Sequence, residues 1–179
     1  MPSKYPWFER TFSFDFPASK HPDILERLRG APIRVESKIA SIAPPEFLTR
    51  RVGETWSIQE NVGHLLDLEP LWHRRTEEIL EGVETMCVAD LTNTKTHEAN
   101  HHASSIEDLM KGFRASRERW LARLDALADE DFALTSNHPR LGTPMRLVDL
   151  CLFTSEHDDC HLARMTELAR LLAKETANR

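Results

Sequence analysis

Two pairs of histidines stand four residues apart in this sequence, a spacing that lets two imidazoles reach one ion from adjacent helical turns. The first pair is His97 and His101 within "HEANH", which matches the H-E-x-x-H pattern of zinc peptidases. The second pair is His157 and His161 within "EHDDCHL". Nine histidines in 179 residues give about 0.5 such pairs by chance, so the surrounding sequence has to distinguish the two.

The surroundings of the first pair are polar. A zinc-peptidase helix is buried and carries apolar residues around its two histidines, whereas here the neighbours are Thr92, Asn93, Thr94, Lys95, Thr96, Asn100, His102 and Ser104. We therefore reject a peptidase and expect a polar connecting segment with a loose turn. His97, Glu98 and His101 stay candidates for acid–base catalysis or substrate contact if this segment folds over the mouth of a site.

The second pair lies on an apolar helical stripe. Steps of three and four connect Leu147, Leu150, Thr154, His157, His161, Met165 (or Arg164), Leu168 and Leu172. This spacing directs both rings toward the interior of a helical bundle. An unpaired polar ring in a core costs on the order of 1–3 kcal/mol, so a metal ion or a buried carboxylate should satisfy these two rings.

A third imidazole is available on another helix. His64 lies between Asn61 and Leu68 on the apolar side of "ENVGHLLDLE", and bundle cores build metal sites from facing helices. Three neutral imidazoles suit zinc or nickel and leave a position open for water or substrate. The alternative is a set of hydrogen-bonded core histidines without metal. Asn61, Glu60 and Asp67 are candidates for orienting His64.

Capping boxes and prolines in the sequence predict long helices that would carry these histidines. Ser57–Glu60 and Ser104–Glu107 are capping boxes that open two helices, and Pro70 should kink the first of them without ending it. Thr143-Pro144 predicts the start of the last helix, which should run to about Ala173. An earlier helix is expected from about Pro22 to Ile42, with an interruption near Gly30-Ala31-Pro32.

The connection from Gly82 to about His102 is unusually long, and long loops are often functional. Such a crossover can join two parallel helices in a bundle. We therefore predict an all-α four-helix bundle, up-down-down-up, with this segment running the length of the bundle between its second and third helices. Residues 1–179 should form one domain. Residues 1–18, with alternating Phe12, Phe14 and Phe16, should form an extended arm packed on the helices.

Composition narrows the classes of partner. A formal net charge of −6 argues against nucleic acid and against anionic lipid, which both attract basic surfaces. No apolar run approaches a membrane span, and the first residues lack the apolar core of a secretory signal. Cys87, Cys151 and Cys160 show no disulfide framework, which favours reduced thiols and a cytoplasmic location.

At this point the sequence resembles the DinB-like (YfiT-like) superfamily, bacterial four-helix bundles regarded as metalloenzymes. The stretches that carry the resemblance are "WSIQENVGHLLDLE" and "EHDDCHLARM"; "ADLTNTKTHEANH" and "HPRLGTPMRLVDL" look like one branch of it. The family's three metal histidines match His64, His157 and His161. One departure is Cys160, where we expect histidine; this position lies between the ligand turns, so the site should survive. Either the Cys160 thiol is redox-sensitive, or Cys160 packs as a small apolar side chain.

The resemblance implies the bundle fold and a divalent metal. Characterised relatives include thiol S-transferases that use bacillithiol or mycothiol and a thiol-dependent maleylpyruvate isomerase, so the substrate should be a small molecule and a low-molecular-weight thiol is a candidate. One hypothesis is therefore an enzyme whose metal activates a thiol or a water. A second is a non-catalytic bundle with a structural metal or histidine network. A third is a homodimer in which the aromatic arm docks on a second subunit.

Overall fold

The computed structural model describes residues 7–177 and shows four long helices, a short helix and one hairpin. Within this range no helix is both long and apolar enough to cross a membrane. The helices are α1 (His21–Ala40), α2 (Ile58–Leu80), α3 (Thr94–Glu98), α4 (Ile106–Asp125) and α5 (Leu147–Ala177). The two strands, β1 (Thr135–His138) and β2 (Thr143–Arg146), pair antiparallel.

The four long helices form a bundle in which α1 and α2 each pack against both α4 and α5. Side-chain pairs at two levels give the directions: α2 runs parallel to α4 and antiparallel to α5, and α4 runs antiparallel to α1. The predicted up-down-down-up arrangement is thereby confirmed. The pairs are His73–Ser116 and Glu77–Arg123 for α2 with α4, Arg29–Asp125 and Glu36–Arg114 for α1 with α4, and Asn61–His161 and Trp72–Phe153 for α2 with α5.

The predicted interruption of the first helix is wrong, because α1 continues through Pro32. A proline inside a helix removes the N–H that would bond the carbonyl four residues earlier. That carbonyl belongs to Leu28, and the Nη1 of Arg117 on α4 donates a hydrogen bond to it at 3.3 Å. A tertiary contact thus supplies the donor that Pro32 lacks. The sequence pattern does not contain this information.

The predicted start of the last helix at Thr143-Pro144 is also wrong. Both residues belong to β2, where Pro144 pairs with Asn137 of β1, and α5 begins only at Leu147. Proline is tolerated at the edge of a sheet, so a Thr-Pro signal suits either element. The backbone N–H of Arg146 donates to Asp149 at 2.9 Å and marks the actual start of α5.

The crossover between α2 and α4 is more ordered than predicted. It contains the short helix α3, a 3-10 turn at His101–Ala103 and a bridge from Thr85 to Asn137 of β1. Ser57 and Glu60 form the predicted capping box of α2. For α4 the helix start is as predicted, but Ser105 caps it by accepting from the N–H of Asp108, one residue later than the expected pair.

The described part of the N-terminal arm, residues 7–18, packs on the bundle, but it is not extended throughout, because Trp7–Glu9 form a 3-10 turn. Residues 1–6 of the predicted arm lie outside the described range. Trp7, Phe12, Phe14 and Phe16 contact a core cluster to which all four long helices contribute, α5 most of all. Arg146 donates to the carbonyls of Phe14 and Phe16, at 2.9 and 3.0 Å. The arm therefore brings Trp7 against the face of α5 that carries His157.

Candidate metal centre

Three histidine rings from two helices meet inside the bundle. His64 comes from α2, and His157 and His161 come from successive turns of α5. One ligand nitrogen from each lies within 4.8 Å of the other two. His64 and His157 are 3% and 5% exposed, and His161 is half-buried. The three residues that the sequence singled out are therefore the three that the fold brings together.

The tautomer of His64 is set by a relay from the crossover. The hydroxyl of Thr96 donates to Asp67 Oδ2 at 2.9 Å, so its oxygen is left to accept from His64 Nδ1 at 3.0 Å. His101 Nε2 donates to the same Asp67 oxygen at 2.8 Å. With its proton on Nδ1, the His64 ring has its lone pair on Nε2, the form in which imidazole binds metals.

An amide sets the tautomer of His161 in the same way. Asn61 Nδ2 donates to the carbonyl of Ser57 at 2.7 Å, which fixes the amide so that its Oδ1 accepts from His161 Nδ1 at 2.8 Å. The lone pair of His161 is then also on Nε2. Of the three residues expected to orient His64, Asp67 does so through Thr96, Asn61 orients His161 instead, and Glu60 is bound to Arg51 and to the N–H of Ser57.

His157 supplies the third donor. Its Nε2 lies 3.3 Å from the Nε2 of His161, while its Nδ1 is buried without a hydrogen-bond partner. One proton on His157 Nε2 could satisfy the lone pair of only one neighbouring ring. A divalent cation satisfies all three nitrogens at once, so this donor set fits zinc or nickel.

The protonation state of the rings also suits a cation. Burial lowers the pKa of His64 to about 2, and the proximity of the His161, His101 and His97 rings contributes to this lowering. Burial also holds the pKa values of His157 and His161 well below the usual value for histidine. All three imidazoles are therefore neutral at physiological pH, and neutral rings are the ones that ligate metals.

The three rings line a cavity of about 490 Å³, within the range of small-molecule sites. Its wall is mainly aromatic and aliphatic, and it includes indoles from the arm, from the segment before α2 and from α2 itself. These indoles are Trp7, Trp56 and Trp72. Three arginines, Arg75, Arg140 and Arg164, add positive charge to the wall, and Asp90 adds one negative charge. The arrangement thus joins a cluster of nitrogen donors to a space that a substrate can fill.

The crossover residues predicted to do acid–base work do not line this cavity. His101 is buried and holds Asp67, His97 is exposed with its ring 5.5 Å from that of Trp56, and Glu98 is exposed. The letters H-E-x-x-H do not form one helix here, because α3 ends at Glu98 and Asn100 has a left-handed backbone with φ 45°. A catalytic role for His97, Glu98 or His101 stays a prediction.

Sequence reasoning missed several residues of the site. Thr96 was read only as a polar neighbour, although it is the partner of His64. His138 was not selected, yet it is 2% exposed and lies on the cavity wall. Arg75 and Arg140 carried no motif signal. Cys160 also lines the cavity, and burial raises the pKa of its thiol, which favours the neutral and less reactive form.

Comparison with known proteins agrees with this geometry. A family model described as the DinB superfamily matches residues 27–165, which includes all three histidines. A solved structure from Bacillus subtilis, YfiT, is similar over 92% of this chain and 94% of its own, with a TM-score of 0.77 and 18% identity. That protein is described as "a probable metal-dependent hydrolase with an unusual four-helix bundle topology". No curated protein matches the chain.

Proposed function

Because the chain belongs to the DinB superfamily, we propose that it is a divalent-metal-dependent enzyme acting on a small molecule. The observation that carries this proposal is the meeting of three histidine nitrogens within 4.8 Å on the wall of a 490 Å³ cavity. His64, His157 and His161 hold the ion, with zinc or nickel as the best fit to three imidazoles. The description of YfiT as a probable metal-dependent hydrolase supports the same class of function.

The chemistry follows from the setting of the rings. When bound, a divalent ion supplies Lewis-acid activation of a water or of a small thiol, for hydrolysis or group transfer on an electrophilic substrate. Thr96 and Asn61 keep a proton on Nδ1 of His64 and His161, so that the Nε2 lone pairs stay available. The apolar wall excludes water around the substrate and thereby strengthens electrostatic interactions in the site. We expect the partner to be a small molecule, and the net charge of −6 argues against nucleic acid and anionic membranes.

A structural metal is the competing proposal. Structural zinc sites are typically closed by four protein ligands, whereas the group found among residues 7–177 contains only the three histidines. The cavity beside them leaves room for an exchangeable ligand. Cobalt substitution separates the two ideas. We expect azide or a small thiol to change the visible spectrum of the cobalt protein, and an unchanged spectrum would favour the closed, structural site.

Metal content tests the assignment itself. We expect the untagged protein to carry about one equivalent of metal by mass spectrometry, and His161→Ala to lose it, because two imidazoles bind far more weakly than three. His73→Gln is the matched control, since His73 is a half-buried histidine of α2 that binds a carbonyl of α4 instead. Stoichiometric metal in His161→Ala would reject the proposed site.

A further inference from the structure

We propose that the cavity binds a small organic carboxylate, whose anionic end is held by Arg140 and Arg75 and whose apolar body extends toward the three histidines. This inference deepens the proposed function by naming a class of substrate. The position of its reactive end rests on the proposed function, but the anion site does not, because it is made by other residues.

The first observation is a buried guanidinium without a carboxylate partner among the described residues. Arg75 on α2 is 2% exposed, and no ion pair joins it to a carboxylate among the described residues. Its Nε and Nη2 donate to the carbonyl of Cys87, at 3.3 and 2.9 Å. Glu78 lies close enough to influence it, but that carboxylate is taken by Arg74 and by the N–H of Cys87.

The other fully buried arginine shows what is missing. Arg117 is 0% exposed and contacts two carboxylates, those of Glu69 and Asp158, at 2.6 and 2.7 Å. A buried charge without such partners is costly, so proteins rarely keep one without a use for it. Arg75 has only neutral acceptors in the described structure. An anion arriving in the cavity would complete its environment.

A second guanidinium lies on the same wall. Arg140 is in the turn between β1 and β2, forms no ion pair with a described residue, and its Nη2 is buried without a hydrogen-bond partner. The guanidinium stands over the rings of Phe8 and Phe153, with Cζ 5.5 and 5.8 Å from their centroids. Burial lowers the pKa of Arg140, and burial together with the charge of Arg140 lowers that of Arg75. The charge of Arg140 therefore reaches Arg75.

His138 adds a donor to the same place. Its Nδ1 lies 3.3 and 3.2 Å from the N–H groups of Arg140 and Leu141, and its Nε2 lies 3.0 Å from Nη1 of Arg75. A neutral imidazole has one acceptor nitrogen, so it cannot accept on both sides. Burial and the two arginines lower its pKa to about 4, which keeps the ring neutral. Two backbone N–H groups donate to Nδ1, so the ring proton lies on Nε2, next to Nη1 of Arg75, which is also a donor. An anion beside these two donors would supply the acceptor that they lack.

The distance from the two arginines to the three histidines sets the length of the ligand's apolar body. The ring of Phe153 lies 5.2 Å from that of His138 and contacts Trp7 at 4.9 Å. Trp7 in turn lies 5.0 Å from His157. Two aromatic rings, those of Phe153 and Trp7, therefore lie between the cationic end of the wall and the histidine end. A carboxylate with an apolar or aromatic body of that length would span both, with the planar guanidinium suited to the carboxylate.

Binding of 3-phenylpropionate, compared with its neutral amide, tests this inference in the zinc-loaded protein. The quenching of tryptophan fluorescence gives both dissociation constants, because three of the four tryptophans line the cavity. We expect the carboxylate to bind about tenfold more tightly than the amide, as one charge-assisted hydrogen bond provides. Arg140→Gln should remove that preference and Arg140→Lys should keep part of it. Arg164→Gln should keep all of it, since Arg164 lines the same cavity but is already paired with Glu167.

The His161→Ala variant separates this site from the metal. The preference for the carboxylate should persist there, because Arg75 and Arg140 are unchanged. A preference that survives Arg140→Gln but disappears in His161→Ala would mean that the carboxylate binds the ion, and would overturn the inference while supporting the metal site. Equal affinities for acid and amide, or no binding of the acid at millimolar concentration, would also overturn it.

Discussion

At the scale of single residues, the site depends on where each imidazole carries its proton. Thr96 and Asn61 each offer an oxygen acceptor to an Nδ1, and each of these acceptors is itself fixed by a hydrogen bond to a second group. The Nε2 atoms of His64 and His161 therefore carry lone pairs and not protons. Partners of this kind raise the basicity of metal ligands and hold their rings in place.

Thr96→Val tests this relay. Valine keeps the shape of threonine but cannot accept from His64 or donate to Asp67, so the His64 ring loses its fixed tautomer. We expect zinc affinity to fall about 10- to 100-fold, the range typical of such partners, in a competition titration against a chromogenic chelator. Thr94→Val is the control, because Thr94 is on the same short helix but exposed. Equal affinities of the two variants would contradict the relay.

The residue scale also shows what sequence could and could not predict. The spacing of His157 and His161 on an apolar stripe, and the position of His64 on the inner face of α2, made the three rings candidates beside the alternative of hydrogen-bonded core histidines. The resemblance to a metal-binding family then favoured the metal site. Thr96 could not be selected, because it reaches His64 only through the folding of a polar crossover back onto α2. The same is true of Arg140, which is placed on the wall by a hairpin that the sequence did not reveal.

At the scale of elements, the crossover is held to the bundle by a close approach at Gly63. A Cβ at this position of α2 would lie 2.3 Å from two ring carbons of His101, so only glycine leaves room for that ring. His101 in turn binds Asp67, the carboxylate at the end of the Thr96 relay. A glycine inside a helix is normally unfavourable by about 1 kcal/mol relative to alanine. Here the missing Cβ lets the His101 ring of the crossover pack directly against α2.

Gly63→Ala should therefore destabilise the protein despite the better helix former. We expect a loss of about 1–3 kcal/mol in the free energy of unfolding, the range for overpacking a buried contact, measured in urea. Gly30→Ala is the matched control, since its Cβ would meet only the end of the flexible Arg34 side chain, 2.8 Å away. We expect that variant to be as stable as the wild type or more so. Similar stabilities for both variants would show that His101 moves freely.

Helix boundaries agree with the sequence-based prediction where neighbouring residues determine them. They differ from the prediction where contacts with distant parts of the chain determine them. The capping box at Ser57 set the start of α2 as predicted. The continuation of α1 through Pro32 depends on a donor from α4, and the use of Thr143-Pro144 in a strand depends on pairing with β1. Neither partner is adjacent in sequence, so helical periodicity alone could not identify them.

At the scale of the whole molecule, one buried ion cluster joins all four long helices. Arg117 of α4 binds Glu69 of α2, Asp158 of α5 and the carbonyl of Leu28 on α1. Burial raises the pKa of Glu69 to about 7 and also raises that of Asp158, while the two carboxylates raise the pKa of the arginine. The cluster lies next to His157 in sequence, so it fixes the level at which α5 presents its histidines.

Arg117→Met removes the cation and leaves two buried carboxylates facing each other. We expect a loss of about 3–5 kcal/mol in the free energy of unfolding at neutral pH, as for other buried pairs with one partner removed. Arg123→Met serves as the control, because its ion pair with Glu77 is exposed and should be worth less than about 1 kcal/mol. Urea unfolding of the two variants checks the difference. A similar small loss in both would mean that the buried cluster does not hold the helices together.

The account depends most on the meeting of His64, His157 and His161 at one ion. A crystal structure of the untagged, metal-loaded protein, with anomalous scattering recorded at the zinc and nickel edges, tests it most directly. We predict a single peak ligated by the Nε2 atoms of these three residues, with a remaining position open to the cavity. An anomalous peak elsewhere, a fourth protein ligand closing the site, or no peak in protein supplied with both metals would contradict it.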